Sequence, residues 1–278
     1  PPMIGLGLLS LIPEEDILAN EDPSDTDQDG ISGKANRVKN HLSGQVELGR
    51  FGWKAGQPTL RQQAAGAFLG DMGLTSEIFP QENCLLHQDD CLVSPNGNGD
   101  SAEDYDFEVS TKVLDVIELY SHHLAVPVRR NAYGEKVQIG KALFTQAGCN
   151  SCHKETFTTK ASNDHPELSD QIIFPYTDML LHDMGEDLAD FTVNNESVSG
   201  SVLVEFQASA REWRTPPLWG LGLTHSVDPE ATFLHDGRAR TILEAILWHS
   251  GEALNAKNTV LGFNSEARDA LITFLLDL

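Results

Sequence analysis

The stretch Gly148-Cys149-Asn150-Ser151-Cys152-His153 constrains this chain most strongly. It reads C-x-x-C-H, in which two thiols three positions apart can each form a thioether with the same porphyrin. The histidine that follows is then held beneath the iron as an axial ligand. The pattern therefore predicts a covalently attached haem c on Cys149 and Cys152, with His153 bound to the haem iron.

Two other uses of a C-x-x-C pair fit the sequence less well. A thioredoxin-like pair should open a helix within a βαβ pattern, and no such pattern is visible. A zinc site needs a second ligand pair at short spacing, whereas Cys84 and Cys91 lie far upstream. A structural metal-binding domain without haem is the hypothesis that this reasoning leaves open.

Cys84 and Cys91 are predicted to form a disulfide in a loop rich in Asn, Asp and Gly. A disulfide and a haem c both suit an oxidising compartment outside the cytoplasm, which in a Gram-negative cell is the periplasm. No apolar run approaches the length of a membrane span. The chain begins with Pro1-Pro2-Met3, which we interpret as a trimmed or processed product of something longer.

Acidic residues outnumber basic ones by 42 to 19, which gives a formal net charge of −23. A chain this acidic should repel nucleic acid and anionic membranes. It could attract a basic redox protein, although a solvated, soluble surface explains the charge equally well.

Two segments share the pattern P-P-hydrophobic-x-G-L-G-L: PPMIGLGL at the start of the chain and PPLWGLGL from Pro216. This repeat predicts two related halves, each with the segment in an equivalent position. The second copy follows the C-x-x-C-H motif, so the first should follow a haem motif that this sequence does not contain.

The stretch from Asp25 to Ile31, DTDQDGI, matches the opening of a calcium loop. Its predicted ligands are the side chains of Asp25, Asp27 and Asp29, the carbonyl of Ile31 and the side chain of Asn36. Asn36 stands where the standard loop has a bidentate glutamate, and an acidic turn without an ion is the alternative. Three carboxylates this close repel one another unless a cation lies among them, which favours calcium.

Hydrophobic periodicity predicts a mainly α-helical fold. Helices are expected at residues 59–72, about 106–124, 135–147, 241–249 and 264–278. Expected apolar faces are Ile139, Leu143 and Phe144 in the third and Ala270, Leu271, Phe274 and Leu275 in the last. The linker at 127–130 separates residues 1–130, the remainder of an N-terminal cytochrome c-like half, from the haem domain at 131–278. A helix that runs into C-x-x-C-H and a final helix that crosses it resemble the class I cytochrome c fold.

Several longer stretches resemble the di-haem oxidoreductases, also called thiol oxidoreductases, within the bacterial di-haem cytochrome c peroxidase superfamily. They are PPMIGLGLL, DTDQDGISG, RFGWKAGQPTL, AFLGDMG, LLHDMGEDLAD, REWRTPPLWGLGL and FLHDGRARTILEAILWHSGEA. The resemblance covers the chain nearly end to end. It implies that the sequence is the C-terminal portion of a larger protein, with a further haem c on an upstream segment.

The family resemblance places the distal ligand of the C-terminal haem at His249, on the helix that starts at Thr241. Met184 is the alternative ligand. The resemblance also assigns His235 to a loop that closes over the haem or the region between the haems, where a structural and a catalytic role are equally open. It assigns His182 to hydrogen bonds near a propionate or that loop. Trp53 is a candidate bridge for electrons, although a packed aromatic residue is the more common role. Met72 is a possible ligand of the absent haem.

The sequence leads to two functional hypotheses. The first is a periplasmic oxidoreductase of the di-haem peroxidase type, in which this chain carries the electron-transfer haem. A small redox protein would donate electrons, and peroxide or a similar small molecule would be the substrate at the upstream haem. The second is a non-catalytic electron-transfer or redox-sensing module, because a haem with two histidine ligands has no open position. No catalytic residue is identified from the sequence.

Overall fold

The structure, a computed structural model, describes residues 2–99, 106–192, 201–202 and 206–278. This part of the chain is mainly helical, which confirms the predicted class. The α-helices are α1 (Leu6–Ser10), α2 (Glu14–Leu18), α3 (Leu60–Met72), α4 (Asp89–Val93), α5 (Thr111–His123), α6 (Glu135–Gln146), α7 (Thr224–Val227), α8 (Ile242–Trp248), α9 (Leu254–Gly262) and α10 (Ser265–Asp277). Short 3-10 helices lie at Cys149–Ser151, Pro166–Leu168, Glu186–Leu188, Leu221–Leu223 and Gly251–Ala253.

The strands are short and form antiparallel pairs. They are β1 (Arg37–Lys39), β2 (Val46–Leu48), β3 (Phe157–Thr158), β4 (Ile172–Ile173), β5 (Leu181–Asp183), β6 (Phe191–Thr192), β7 (Ser201–Val202) and β8 (Glu212–Arg214). The pairs are β1 with β2, β3 with β4, β5 with β8, and β6 with β7. In the β5–β8 pair His182 lies opposite Trp213, so this pair presents two large side chains at one place in the fold.

Helices α6 and α10 pack against each other at a close crossing. A Cβ atom at Gly140 of α6 would overlap the carbonyl oxygen of Ala270 and lie 2.6 Å from Cβ of Phe274. The missing side chain therefore sets how close the two helices approach. The buried face of α6 is Val137, Gly140 and Phe144, whereas Ile139 is 49% exposed, so the predicted apolar face of this helix is partly wrong. The four residues predicted to face inward in α10 are all buried.

Helix α5 leaves part of its apolar residues exposed to solvent. Leu114, Ser121 and His122 are buried, whereas Val116 and Tyr120 are more than half exposed. The segment between α3 and α5 contains the Cys84–Cys91 disulfide, which joins a loop residue to α4 with a Cα–Cα distance of 5.8 Å and confirms the predicted bond.

Two large apolar clusters form the core. One joins α6, α10 and Ile242, entirely within residues 131–278. The other joins α1, α2 and Leu60 to residues Phe157, Ile173, Met179, Leu180 and Trp219. The second cluster crosses the predicted boundary near residue 130. The division into 1–130 and 131–278 therefore stays a prediction, with a core shared across it.

The two copies of the repeated segment occupy equivalent positions and contact each other. Gly5 and Gly220 both have left-handed backbones, with φ of 70° and 76°. A Cβ atom at Gly5 would collide with Trp219, and one at Gly220 would lie 2.5 Å from Ile4. In the alignment of the copies, Ile4 corresponds to Trp219, so each copy places its large residue on the glycine of the other.

Each copy also binds the end of a long helix in the same way. The Gly5 amide donates to the carbonyl of Leu124, which follows α5, at 2.8 Å. The Gly220 amide donates to the carbonyl of Leu278, which follows α10, at 2.6 Å. Helices α5 and α10 therefore each end at the equivalent glycine of one copy.

No helix in the described ranges combines the length and apolar character needed to cross a bilayer.

Replacing Gly140 with alanine should lower the free energy of unfolding by about 1–3 kcal/mol, because the added methyl group must push α10 away. Gly70→Ala in α3 is the matched control, since a Cβ atom there meets nothing within 4 Å. This change should raise the free energy of unfolding by about 0.5–1 kcal/mol through helix propensity. Denaturant titration followed by circular dichroism measures both. A Gly140→Ala protein as stable as the control variant would contradict the close crossing.

Candidate haem site

A cavity of about 520 Å³ contains the C-x-x-C-H motif in its wall. Its lining is largely apolar, and it draws on both halves of the sequence. From residues 131–278 it includes Phe144, Cys149, Cys152, His153, Met184, Trp213, Arg214, Leu218, His235, Ile246 and His249. From residues 1–130 it includes Pro2, Asp29, Ile31 and Trp53. A concave, mostly apolar cavity with a few convergent polar groups is the usual form of a cofactor site.

The motif is placed by the end of α6. Gly148 has a left-handed backbone with φ of 81°, which ends the helix and turns the chain into the 3-10 helix Cys149–Ser151. The His153 amide donates to the carbonyl of Cys149 at 3.0 Å, so the turn continues through the motif. Cysteines and histidine thereby reach the same cavity wall.

The His153 ring is oriented by the backbone. Its Nδ1 lies 2.8 Å from the carbonyl oxygen of Tyr176, which requires Nδ1 to carry the proton and donate. Nε2 then keeps its lone pair, and it has no hydrogen-bond partner among the described residues. Burial, with a contribution from nearby His249, lowers the pKa of His153 to about 4. The ring is therefore neutral at pH 7, as an iron ligand must be.

His249 has the same arrangement. Thr241 caps α8 by accepting a hydrogen bond from the Glu244 amide, and His249 follows the last residue of that helix. The His249 Nδ1 donates to the carbonyl of Ala245 at 2.8 Å, which leaves Nε2 with its lone pair. Burial lowers its pKa as well. Met184 also lines the cavity, so the structure brings both candidate distal ligands to this site.

The two cysteines of the motif form no disulfide with each other. Burial raises the pKa of Cys149 to about 12 and also raises that of Cys152. Thiols with raised pKa values differ from the low-pKa thiols of a reactive redox pair. A haem c requires two thiols, neutral imidazoles with a free Nε2 atom and an apolar cavity. The residues of this site fit these requirements.

His182 is bonded to carboxylates of the protein. Its Nε2 lies 2.8 Å from Asp178 Oδ2 and its Nδ1 lies 2.7 Å from Glu252 Oε2. Burial opposes the charge, but the bonds to Asp178, Cys152 and Glu252 raise the pKa of His182 well above its ordinary value. Glu252 also accepts hydrogen bonds from the amide and hydroxyl of Ser32. The buried imidazolium and its carboxylate partners therefore hold three chain segments together beside Cys152.

His235 is part of an aromatic stack. Its ring lies 3.5 Å from that of Trp213, centroid to centroid, with an interplanar angle of 16°. On Trp213 also lies the ammonium of Lys54, 3.7 Å from the ring centroid. Burial lowers the pKa of His235. The sequence reasoning missed Trp213 and Lys54, because residues so far apart in the chain give no local signal of a stack.

Arg214 was not predicted as a site residue, although it lies within the stretch REWRTPPLWGLGL that carries part of the family resemblance. Its guanidinium is buried, donates to the carbonyl of Gly52, and forms no ion pair among the described residues. Burial lowers the pKa of Arg214 to about 10. The adjacent Trp53 lines the cavity and accepts a hydrogen bond from the Arg214 amide, 2.9 Å away. A carboxylate-bearing group in the cavity would complete the bonds of this arginine.

The predicted calcium loop brings its three aspartates together. Carboxylate oxygens of Asp25, Asp27 and Asp29 lie within 4.8 Å of one another, and Asp29 and Ile31 also line the large cavity. Asn36 is buried; its side-chain nitrogen donates to the carbonyl of Lys54, and its side-chain oxygen accepts a hydrogen bond from the amide of Gln207. Its role as a calcium ligand stays a prediction. The calcium itself stays a prediction, and so does a ligand role for Met72, which is 64% exposed at the end of α3.

Comparison with known proteins identifies one family. The family model described as "Di-haem oxidoreductase, putative peroxidase" matches residues 1–278. No curated protein matches the chain. Among solved structures, hydrazine synthase of Kuenenia stuttgartiensis, pressurised with xenon, is 18% identical with a TM-score of 0.36. That match covers 62% of this chain and 57% of the hydrazine synthase chain, and at this score it carries no structural argument.

His182→Gln should lower the free energy of unfolding by about 3–5 kcal/mol at pH 6, because it leaves the buried Asp178 and Glu252 without their cation. The folded-state pKa of His182 is raised, so its contribution is complete below the unfolded value near 6.5 and is lost as pH rises through the folded value. The difference from the native protein should therefore shrink at alkaline pH.

Denaturant unfolding of the holoprotein between pH 6 and pH 10 measures this difference, with the exposed His87→Gln as the matched control. A destabilisation that stays constant over that range would show that His182 is not the charged partner of these carboxylates.

Proposed function

Because this chain belongs to the di-haem oxidoreductase family, we propose that it carries the electron-transfer haem of a periplasmic c-type oxidoreductase of the peroxidase type. The observation that carries the proposal is the convergence of Cys149, Cys152, His153 and His249 on one cavity, with both imidazoles neutral and their Nε2 atoms free.

The residues of the cavity have separate tasks in this proposal. Cys149 and Cys152 would hold the porphyrin through thioethers, and His153 and His249 would supply the imidazole ligands of the iron. When bound, the haem supplies reversible one-electron chemistry. The carbonyls of Tyr176 and Ala245 fix the tautomers of the two ligands, and Arg214 offers a buried cation to a carboxylate of the cofactor.

The site of peroxide chemistry is proposed to lie elsewhere. A centre with two histidine ligands leaves no position for peroxide, and the family description names two haems, whereas the sequence contains one C-x-x-C-H motif. A second haem c would therefore be attached by residues outside this sequence. Trp53 belongs to residues 1–130 and lines the cavity, and it is proposed to carry electrons from the cavity towards that second haem. Calcium bound by Asp25, Asp27, Asp29 and the Ile31 carbonyl would order the neighbouring cavity wall.

The electron donor is proposed to be a small redox protein. The formal charge of −23 would attract a donor with a basic face and accelerate their encounter at low salt. Periplasmic localisation is proposed because covalent haem attachment and the Cys84–Cys91 disulfide both suit an oxidising compartment.

A second candidate function is a non-catalytic electron carrier or redox sensor. The same pair of histidines favours it, since two protein ligands on one haem suit electron transfer rather than substrate binding. The two functions differ in whether the intact di-haem protein consumes peroxide.

The distal ligand is tested by His249→Ala and Met184→Ala in the holoprotein. We expect His249→Ala to convert a low-spin absorption spectrum to a high-spin one, while the haem stays attached through its thioethers. Met184→Ala is the matched control from the same cavity wall and should leave the spectrum low-spin. If Met184→Ala alone changed the spectrum, the thioether of Met184 would be the distal ligand instead of His249.

Peroxidase function is tested on the intact di-haem protein, reduced and mixed with hydrogen peroxide in a stopped-flow instrument. We expect peroxide consumption that falls at least a hundredfold in a Cys149→Ala/Cys152→Ala variant, because electrons no longer enter. An intact protein that is inert towards peroxide, with both haems six-coordinate throughout, would favour the carrier instead.

A further inference from the structure

Three of the ten histidines meet at the end of α5, away from the haem cavity. His122 and His123 are the last residues of α5, and His165 precedes the 3-10 helix Pro166–Leu168. Nε2 of His123 lies 2.5 Å from Oε1 of Glu167, and Nδ1 of His165 lies 3.7 Å from the same oxygen. All three atoms lie within 4.8 Å of one another.

We propose that this cluster is a binding site for a divalent transition-metal ion, zinc above all, with His123 Nε2, His165 Nδ1 and the Glu167 carboxylate as its ligands. Two imidazole nitrogens and one carboxylate form a common protein ligand set for zinc. A water molecule would complete the coordination.

The His123 ring is oriented for this role. Its Nδ1 lies 2.7 Å from the carbonyl of Leu119 and donates to it, which places the lone pair of the neutral ring on Nε2. A ligating histidine usually donates its other N–H to a carbonyl or carboxylate in this manner. The backbone of α5 thus aims Nε2 at Glu167.

His165 supplies the second observation. Its Nδ1 is buried and has no hydrogen-bond partner among the described residues. An unpaired buried polar atom is costly and needs an explanation. The ring is also held in place, since His122 stacks on it with centroids 4.2 Å apart at 18°. The His122 ring is itself fixed by a hydrogen bond from Nδ1 to the carbonyl of Glu118.

A simple ion pair between His123 and Glu167 explains only part of this geometry. It accounts for the short contact of those two side chains, but it leaves His165 Nδ1 buried and unpaired 3.7 Å from the carboxylate. A metal ion satisfies both nitrogens and the carboxylate at once. A bound metal ion therefore explains more of the observed contacts than an ion pair does.

The proposed site is separate from the haem. His122 and His123 line a second cavity, of about 420 Å³, together with Leu168 and Gln171. This cavity shares no lining residue with the one that contains Cys149 and His153. A metal here would link the end of α5, in residues 1–130, to the loop that follows the C-x-x-C-H motif. Its role would be to fasten the two halves of the fold together.

The test is zinc titration of the holoprotein by isothermal calorimetry after EDTA treatment and dialysis. We expect one equivalent of zinc to bind with a dissociation constant that rises at least tenfold in His123→Ala, in His165→Ala and in Glu167→Gln. His87→Ala removes an exposed histidine outside the cluster and should bind zinc like the native protein. Zinc should also raise the midpoint of thermal unfolding of the native protein and the His87 variant, but not of the three cluster variants.

Two features of the experiment distinguish loss of the metal site from loss of folding. The side chains of His123 and Glu167 are 37% and 49% exposed, so these two variants should fold even if His165→Ala does not. An unchanged haem spectrum in each variant shows that the site is independent of the electron-transfer centre. Failure of the metal site would accordingly leave the proposed function untouched.

Crystals of the native protein soaked in zinc give the position directly. We expect an anomalous peak at the zinc edge between His123, His165 and Glu167. The proposal is overturned if the native protein binds no zinc, if the cluster variants bind it as the native protein does, or if the peak lies elsewhere.

Discussion

Two hydrogen bonds to backbone carbonyls fix the geometry on which this site depends. His153 donates to Tyr176 and His249 donates to Ala245, both through Nδ1 at 2.8 Å. Each bond selects one tautomer and directs the remaining lone pair into the cavity. Because the acceptors are backbone atoms, the orientation survives changes of most neighbouring side chains. The fold therefore fixes the orientation of both imidazoles, and burial lowers the pKa of each ring, which favours the neutral form.

Glycine determines how the helices that support this cavity approach one another. Gly140 lets α10 lie against α6, and Gly5 and Gly220 let the two copies of the repeated segment exchange their large residues, Ile4 and Trp219. The left-handed backbones of Gly5 and Gly220 also aim their amides at the ends of α5 and α10. The same glycine arrangement thus occurs twice in the chain, once in the segment that starts at Pro1 and once in the segment that starts at Pro216.

Local signals predicted the helices well, because caps and periodicity act over a few residues. Thr59, Thr241 and Asn264 each accept a hydrogen bond at a helix start, close to the predicted boundaries. The C-x-x-C-H motif is equally local. The buried face of α6 could not be predicted, since it depends on α10, more than a hundred residues away. Asn36 was assigned to calcium by its position in a loop pattern. Its hydrogen bonds to Lys54 and Gln207 could not be predicted, because both partners are distant in the sequence. The meeting of His123 with Glu167 is likewise a product of tertiary structure.

Hydrogen bonds connect residues 1–130 to residues 131–278 across the predicted boundary. Lys54 is buried, and its ammonium donates to the carbonyls of Ser209 and Glu212, both at 2.9 Å. Trp53 and Ser32 reach residues 214 and 252 in the same way. If residues 131–278 were isolated, the cavity would lose one wall, and Glu252 would lose the bonds of Ser32. A buried charge such as that of Arg214 would also face water in place of Gly52. The cavity that contains the C-x-x-C-H motif is therefore a property of the whole chain, because residues 1–130 supply part of its wall.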